Sequence, residues 1–102
     1  MKITLCGSTK FKDKFIELNK SLSKEGHVVY SVSSFGHSGD VISDDEKITL
    51  DLVHLIKIQE SDAIYVIDID GYIGFSTSRE IKWAKMLNKN IIYWSLENDK
   101  KN

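Results

Sequence analysis

The chain has 102 residues, 41% of them hydrophobic and 28% charged, and a net charge of −1. That is enough for one domain with a single core, in proportions ordinary for a soluble globular protein. Only Arg79 among the 14 basic residues is an arginine, and the balanced charge excludes the basic field that holds a nucleic-acid polymer.

No apolar run approaches the roughly 18 residues that would point to a membrane span. The N-terminus enters a strand at once, so no signal peptide is expected. A lone cysteine, Cys6, excludes an internal disulfide and fits a reducing cytosol, so a cytoplasmic protein is expected. Lys2–Cys6 is a short apolar run followed by Gly7-Ser8-Thr9, the pattern of a strand, a small-residue turn and a helix. Gly7 permits close backbone approach to a ligand, and Ser8 or Thr9 can cap the helix and offer a hydroxyl. Phe11, Phe15, Leu18 and Leu22 recur at helical spacing, which predicts an amphipathic helix over Lys10–Lys24 ended by Gly26. His27–Val32 reads as the second strand.

Ser33–Asp45 is the least regular segment, long for an α/β connection, and such loops tend to be functional or disordered. Ser43-x-x-Glu46 matches a capping box for a helix over Asp44–Gln59, with Ile48, Leu52, Val53, Leu55 and Ile56 as its apolar positions. Asp51 and His54 are spaced i,i+3 and share a different stripe. From Ser61 to Trp94 the chain reads as a buried strand, a glycine-bearing loop holding Asp68, Asp70 and Gly74, a helix whose first turn carries Glu80, and a fourth strand. Strands alternating with helices predict an α/β domain, a flavodoxin-like or Rossmann-like three-layer sandwich. Its four-stranded parallel sheet takes the order 2-1-3-4. The domain spans residues 1–95, and 96–102 reads as a flexible polar tail.

Cys6-Gly7-Ser8 closing the first strand, Ser61-Asp62 opening the third, and Ser76-Thr77-x-x-Glu80 leading into the third helix resemble the nucleoside 2-deoxyribosyltransferase superfamily. The similarity is closest to its small branch of 2′-deoxynucleoside 5′-phosphate N-hydrolases, and it extends over nearly the whole chain in short motifs. The resemblance implies cleavage of the N-glycosidic bond of a deoxynucleoside or deoxynucleotide, by hydrolysis or transfer, through a glutamate nucleophile, and Glu80 falls at its position. It also implies self-association, as a homodimer or higher homo-oligomer, and no metal or organic cofactor. The chain departs from the pattern in three places. His54 stands where the hydrolase branch has an aspartate, Gly74 where the transferase branch has one, and Thr4 or Leu5 where a tyrosine is often found.

Each residue has a plainer reading beside the functional one. Thr77-x-x-Glu80 is itself a capping box; as a nucleophile, Glu80 near a helix N-terminus would stay ionised. Asp51 and His54 are a solvated stripe, or one of them protonates the departing base. Gly7, Ser8 and Thr9 are a tight turn, or a contact to sugar or phosphate. Ser76, Thr77 and Ser78 supply hydroxyls and helix N-terminal amides suited to an anion. Asp70 sits at the same sheet edge, while Phe35, His37 and Tyr72 either cover the base by stacking or pin their loops to the core. His27, His37 and His54 with one cysteine show no H-x-x-x-H or C-x-x-C spacing, so no zinc site is expected and Cys6 reads as a buried structural thiol. Trp83, Tyr93 and Trp94 are many aromatics for a monomer of this size to hide, which places a dimer interface along the third helix. The rival reading is a nucleotide-binding module of this fold without catalysis. A partner-binding domain is a third.

Overall fold

The computed structural model describes residues 1–36 and 39–99. Four strands, β1 (Lys2–Gly7), β2 (Val28–Tyr30), β3 (Ala63–Ile67) and β4 (Asn90–Tyr93), alternate with helices α1 (Lys12–Lys24), α2 (Asp44–Gln59) and α3 (Phe75–Met86). The sheet is wholly parallel in the order β2-β1-β3-β4. No helix among the described residues is long and apolar enough to cross a membrane.

Because strand side chains alternate between faces, β1 and β3 divide their residues between two cores. Ile3, Leu5, Tyr65 and Ile67 meet Phe15 and Leu18 of α1 on one side. Cys6, Ile64 and Val66 meet Ile58 of α2 with Ile81 and Ala84 of α3 on the other. The central strand β3 is buried throughout, as expected of a strand covered on both faces. At the end of β1, Gly7 passes so close to β3 that a Cβ would sit 3.0 Å from Ile67 Cβ and 3.1 Å from the Ile67 carbonyl oxygen. Its smallness is thus explained by the neighbouring strand.

Several boundaries differ from the sequence expectation. Ser8 accepts from the Lys10 amide at 3.3 Å, and its carbonyl accepts from Phe11 N–H at 3.0 Å, which tightens Thr9–Phe11 into a 3₁₀ turn before α1. The second strand is shorter than His27–Val32. Beyond Tyr30 the chain leaves β1, and Lys57 Nζ donates to the Ser31 carbonyl at 2.8 Å and to Ser33 Oγ at 3.0 Å. The segment read as a tail from residue 96 begins inside a further helix, α4 (Trp94–Asp99). Asp68 anchors it by accepting from Ser95 N–H at 2.8 Å and Ser95 Oγ at 2.6 Å. The capping box Ser43-x-x-Glu46 is formed as expected at the start of α2.

Helix α2 lies rotated from its expected orientation. His54 and Ile58 are its buried residues, whereas Ile48, Leu52 and Ile56 are 61%, 57% and 53% exposed. Of the expected apolar positions Leu55 packs against the core, whereas Ile48, Leu52 and Ile56 point away from the sheet, and His54 of the Asp51–His54 stripe points inward. Trp83, Tyr93 and Trp94 are hidden more fully than expected. All three are half-buried against the two cores, and Trp83 Nε1 donates to the Leu55 carbonyl at 3.1 Å.

Candidate active site

The inward turn of α2 places His54 over the carboxyl end of β1, where Cys6 projects toward the same side. Glu80 reaches this point from α3. His54 Nε2 lies 3.7 Å from Cys6 Sγ and 3.9 Å from Glu80 Oε1, and the three donor atoms all fall within 4.8 Å of one another. Among the described residues this is the one cluster of three such groups. It is buried beneath the carboxyl end of β1, the side of the sheet on which ligands bind in open α/β folds.

Glu80 is not in the first turn of its helix. Helix α3 begins at Phe75 with Gly74 as N-cap, so Thr77, buried at 3% exposure, is the third helical residue and no Thr77–Glu80 capping box forms. Glu80 therefore lies a turn beyond the free amides. Burial raises its carboxyl from 4.5 to about 7; a hydrogen bond from the Cys6 thiol is the chief opposing effect, the charge of Asp51 adds to the rise, and Arg79 and Lys47 oppose it more weakly. The expectation of a carboxylate held ionised by a helix N-terminus is thus corrected: desolvation outweighs the dipole at this depth.

His54 is perturbed the other way. Burial, helped by the charge of Lys57, lowers the ring to about 4, although it donates to the Leu5 carbonyl and feels Asp51. At neutral pH the imidazole is uncharged. With one N–H committed to Leu5, Nε2 faces Cys6 and Glu80 as an acceptor. The Cys6 thiol is pushed well up, chiefly by burial and then by Glu80, so it too is neutral.

Asp51 lies one turn before His54, nearer the ligand-binding edge because α2 runs back against the strands. Its carboxylate is 3.0 Å from Lys47 Nζ and 3.6 Å from Arg79 Nη2. A cavity of about 250 Å³ between α2 and α3 is lined by Ile48, Asp51, Leu52, Leu55 and Arg79.

The other expected site residues are placed less centrally. Gly7 and Ser8 follow Cys6 directly, Ser8 capping the turn that Thr9 opens. Ser76, Thr77 and Ser78 form the first turn of α3, where Ser78 N–H is already taken by the Gly74 carbonyl at 2.9 Å. A Cβ on Gly74 would meet Tyr72 Oη at 3.3 Å. Asp70 is exposed in the 3₁₀ turn Ile69–Gly71 with φ of 56°. Phe35 packs edge-on against Phe15, ring centres 5.7 Å apart, in the α1 core. It pins its loop, and Asp40 braces that loop by accepting from Phe35 N–H at 2.7 Å. Tyr72 stands against Phe11 with Lys10 Nζ 3.6 Å from its ring centre. His37 lies outside the described residues.

Sequence reasoning missed Cys6 as a site residue. It has no histidine nearby in the chain, yet strand alternation sends Cys6 to the side opposite Leu5, where α2 delivers one.

No family model and no curated protein matches the chain. Among solved structures, the chain is similar to the CMP N-glycosidase BcmB of Clostridium botulinum. The match has a TM-score of 0.62 and 21% sequence identity, covering 99% of this chain and 82% of that one. At this identity the likeness establishes a shared fold.

Proposed function

We propose that the chain cleaves the N-glycosidic bond of a nucleoside 5′-monophosphate, the 2′-deoxy form preferred, with Glu80 as nucleophile. One observation carries the reading. A buried carboxylate, half ionised near neutral pH, stands at the ligand-binding edge of a fold shared with a CMP N-glycosidase. In the ionised form Glu80 attacks C1′ of the sugar. The C1′–N bond breaks, and the base departs with its electron pair and takes up a proton. Water then hydrolyses the glycosyl ester and returns the carboxylate, unless another base captures the sugar. A deoxy sugar is favoured because its oxocarbenium-like transition state lacks the destabilising 2′-hydroxyl.

In this reading the departing base takes its proton from a water that the Asp51 carboxylate orients at the mouth of the cavity, while neutral His54 positions the reacting groups from beneath. The Gly7-Ser8-Thr9 turn holds the sugar. Ser76, Thr77 and Ser78, with Gly74 at the helix cap, hold the phosphate through hydroxyls and the free amides of the first turn. The fixed charge of Arg79 beside the cavity adds an anion partner. Phe35 and Asp70 have no part in it.

The test is chromatographic detection of free base from a panel of ribo- and deoxynucleosides and their 5′-monophosphates, with chelator present. Release confined to monophosphates and abolished in Glu80→Gln is the expected result. Release unaffected by Glu80→Gln would refute the assignment.

A second reading is supported by the state of the two acid candidates. His54 is neutral, and Asp51 is already engaged by Lys47 and Arg79, which favours a module that binds nucleotide without turning it over. Nucleotide binding that survives Glu80→Ala, with no base released by the parent protein, would select it.

A second copy of the chain completes the site in this proposal. At about 250 Å³ the cavity is smaller than most pockets that enclose a small molecule. The exposed Ile48 and Leu52 on its rim continue into Val53 and Ile56. The interface is assigned to this face of α2, since Trp83 turns inward from α3. Sedimentation velocity should show a dimer that Leu52→Lys converts to monomer; a monomeric parent at micromolar concentration would sink the assignment.

A further inference from the structure

Cys6, His54 and Glu80 offer a sulfur, an imidazole nitrogen and a carboxylate oxygen from β1, α2 and α3. Zinc favours this donor set, whereas magnesium and calcium take oxygen ligands. In a tetrahedral zinc site with bonds of ~2.3 Å to sulfur and ~2.0 Å to nitrogen and oxygen, the sulfur and nitrogen lie ~3.6 Å apart and the nitrogen and oxygen ~3.3 Å. The separations here are 3.7 Å and 3.9 Å. The sulfur–nitrogen pair is already at that spacing; the nitrogen–oxygen pair must close by ~0.6 Å, and the sulfur and carboxylate oxygen, within 4.8 Å of one another, draw together as the metal enters.

Two further features point the same way. His54 donates from its ring to the Leu5 carbonyl, the outer hydrogen bond that fixes the tautomer and orientation of a zinc-bound histidine. The charges also close: a thiolate, a carboxylate and a neutral imidazole around Zn²⁺ sum to zero, so the buried site carries no net charge once loaded. Metal entry releases the thiol proton, and any proton on Glu80, to solvent.

We propose that Cys6, His54 and Glu80 form a zinc site with an open fourth position, and that zinc occupancy withdraws Glu80 from nucleophilic attack. The binding claim stands on the three side chains alone; the inhibitory claim rests on the glycosidase reading. No H-x-x-x-H or C-x-x-C motif announces the site because its ligands are 48 and 26 residues apart in sequence.

The experiment loads the chelator-stripped full chain with Zn²⁺ or Co²⁺ and measures bound metal after dialysis together with the absorption spectrum of the cobalt form. One retained equivalent of zinc is expected, with a thiolate-to-cobalt charge-transfer band in the near ultraviolet. Cys6→Ser should abolish the band and weaken zinc binding at least about tenfold. The band is read on the unaltered protein, so the test survives if that variant fails to fold. Failure to retain zinc would overturn the proposal. So would cobalt uptake without the band, as expected if the metal sits instead on the Met1 amino group and His27 Nδ1, 3.0 Å apart. Zinc added to the parent should suppress base release in step with occupancy, and base release that persists at full occupancy refutes the inhibitory claim. Base release in chelator judges the glycosidase reading separately, so either can fail alone.

Discussion

Replacing Glu80 with glutamine should reverse how stability depends on pH. In the fold the carboxyl is raised from 4.5 to about 7, so between those values the native state holds a proton that the unfolded chain has lost. Stability contributed by this group is therefore fully present below pH 4.5 and is lost as pH rises through 7. Each pH unit of displacement is worth about 1.4 kcal/mol, which makes the loss roughly 3 kcal/mol by pH 8 for a side chain only 12% exposed. His54 runs oppositely. Lowered from 6.5 to about 4, it costs the fold at acid pH and ceases to do so as pH rises through 6.5. In the parent the two slopes offset each other from pH 4.5 to 6.5, giving a plateau that falls away above it. In Glu80→Gln only the His54 slope remains, so stability should climb to pH 6.5 and then hold. Urea unfolding of both proteins in chelator at pH 4.5, 5.5, 6.5 and 8 checks this. The difference should be near zero at the first and about 3 kcal/mol in favour of the variant at the last, and the effects of groups common to both proteins cancel. A difference that does not change with pH would refute the claim that burial holds Glu80 protonated.

Other outcomes follow from single contacts. Base release by the parent should increase with pH through about 7, as the Glu80 nucleophile ionises; a flat profile from pH 5 to 8 would argue against that role. Ser61→Ala should cost more than Thr4→Val in urea unfolding. Ser61 Oγ donates to the Lys57 carbonyl at 2.7 Å and so accepts from Thr4 Oγ at 2.6 Å. Losing Ser61 strands a buried hydroxyl proton and a carbonyl, roughly 1–3 kcal/mol, whereas losing Thr4 removes one bond worth about 1 kcal/mol. Asp68→Ala should release α4 by removing both bonds to Ser95, costing roughly 1.5–3 kcal/mol and raising amide exchange at 95–99.

The sheet order and the boundaries of α2 were legible because they rest on local signals. These were apolar runs bounded by turns, a capping box at Ser43 and Glu46, and the handedness of parallel crossovers. The orientation of α2 was not. Periodicity locates an apolar stripe but does not say which neighbour it faces. Here Ile48, Leu52 and Ile56 face outward while His54 goes in with Ile58. The same limitation hid the position of Glu80 within α3. Thr77 three residues before a glutamate looks like a cap in sequence, and only the burial of Thr77 and the extended backbone of Gly74 move the helix start upstream.

The rotation of α2 also accounts for the character of the site. Had the Ile48–Leu52–Ile56 stripe packed on the sheet, His54 would titrate in water near its ordinary value, and Glu80 would lose the wall that desolvates it. The inward turn instead buries an imidazole, a carboxyl and a thiol together at a sheet edge, where each is pushed toward its neutral form. With the imidazole and thiol neutral and Glu80 half ionised near neutral pH, the trio responds strongly to an approaching charge. The electron-poor anomeric carbon of a phosphorylated sugar would draw out the Glu80 carboxylate, and a divalent cation would draw out the carboxylate and the thiolate together. Burying this polar trio leaves apolar side chains on the outer face of α2, beside the cavity rim. The site and the exposed stripe are thus two consequences of one helix orientation. Making the inward stripe polar with His54→Glu and Ile58→Lys, while Ile48, Leu52 and Ile56 stay apolar, would favour rotating α2 back. It should abolish both the Glu80 perturbation, read by urea unfolding against pH, and any dimer formed through the outer stripe, read by sedimentation.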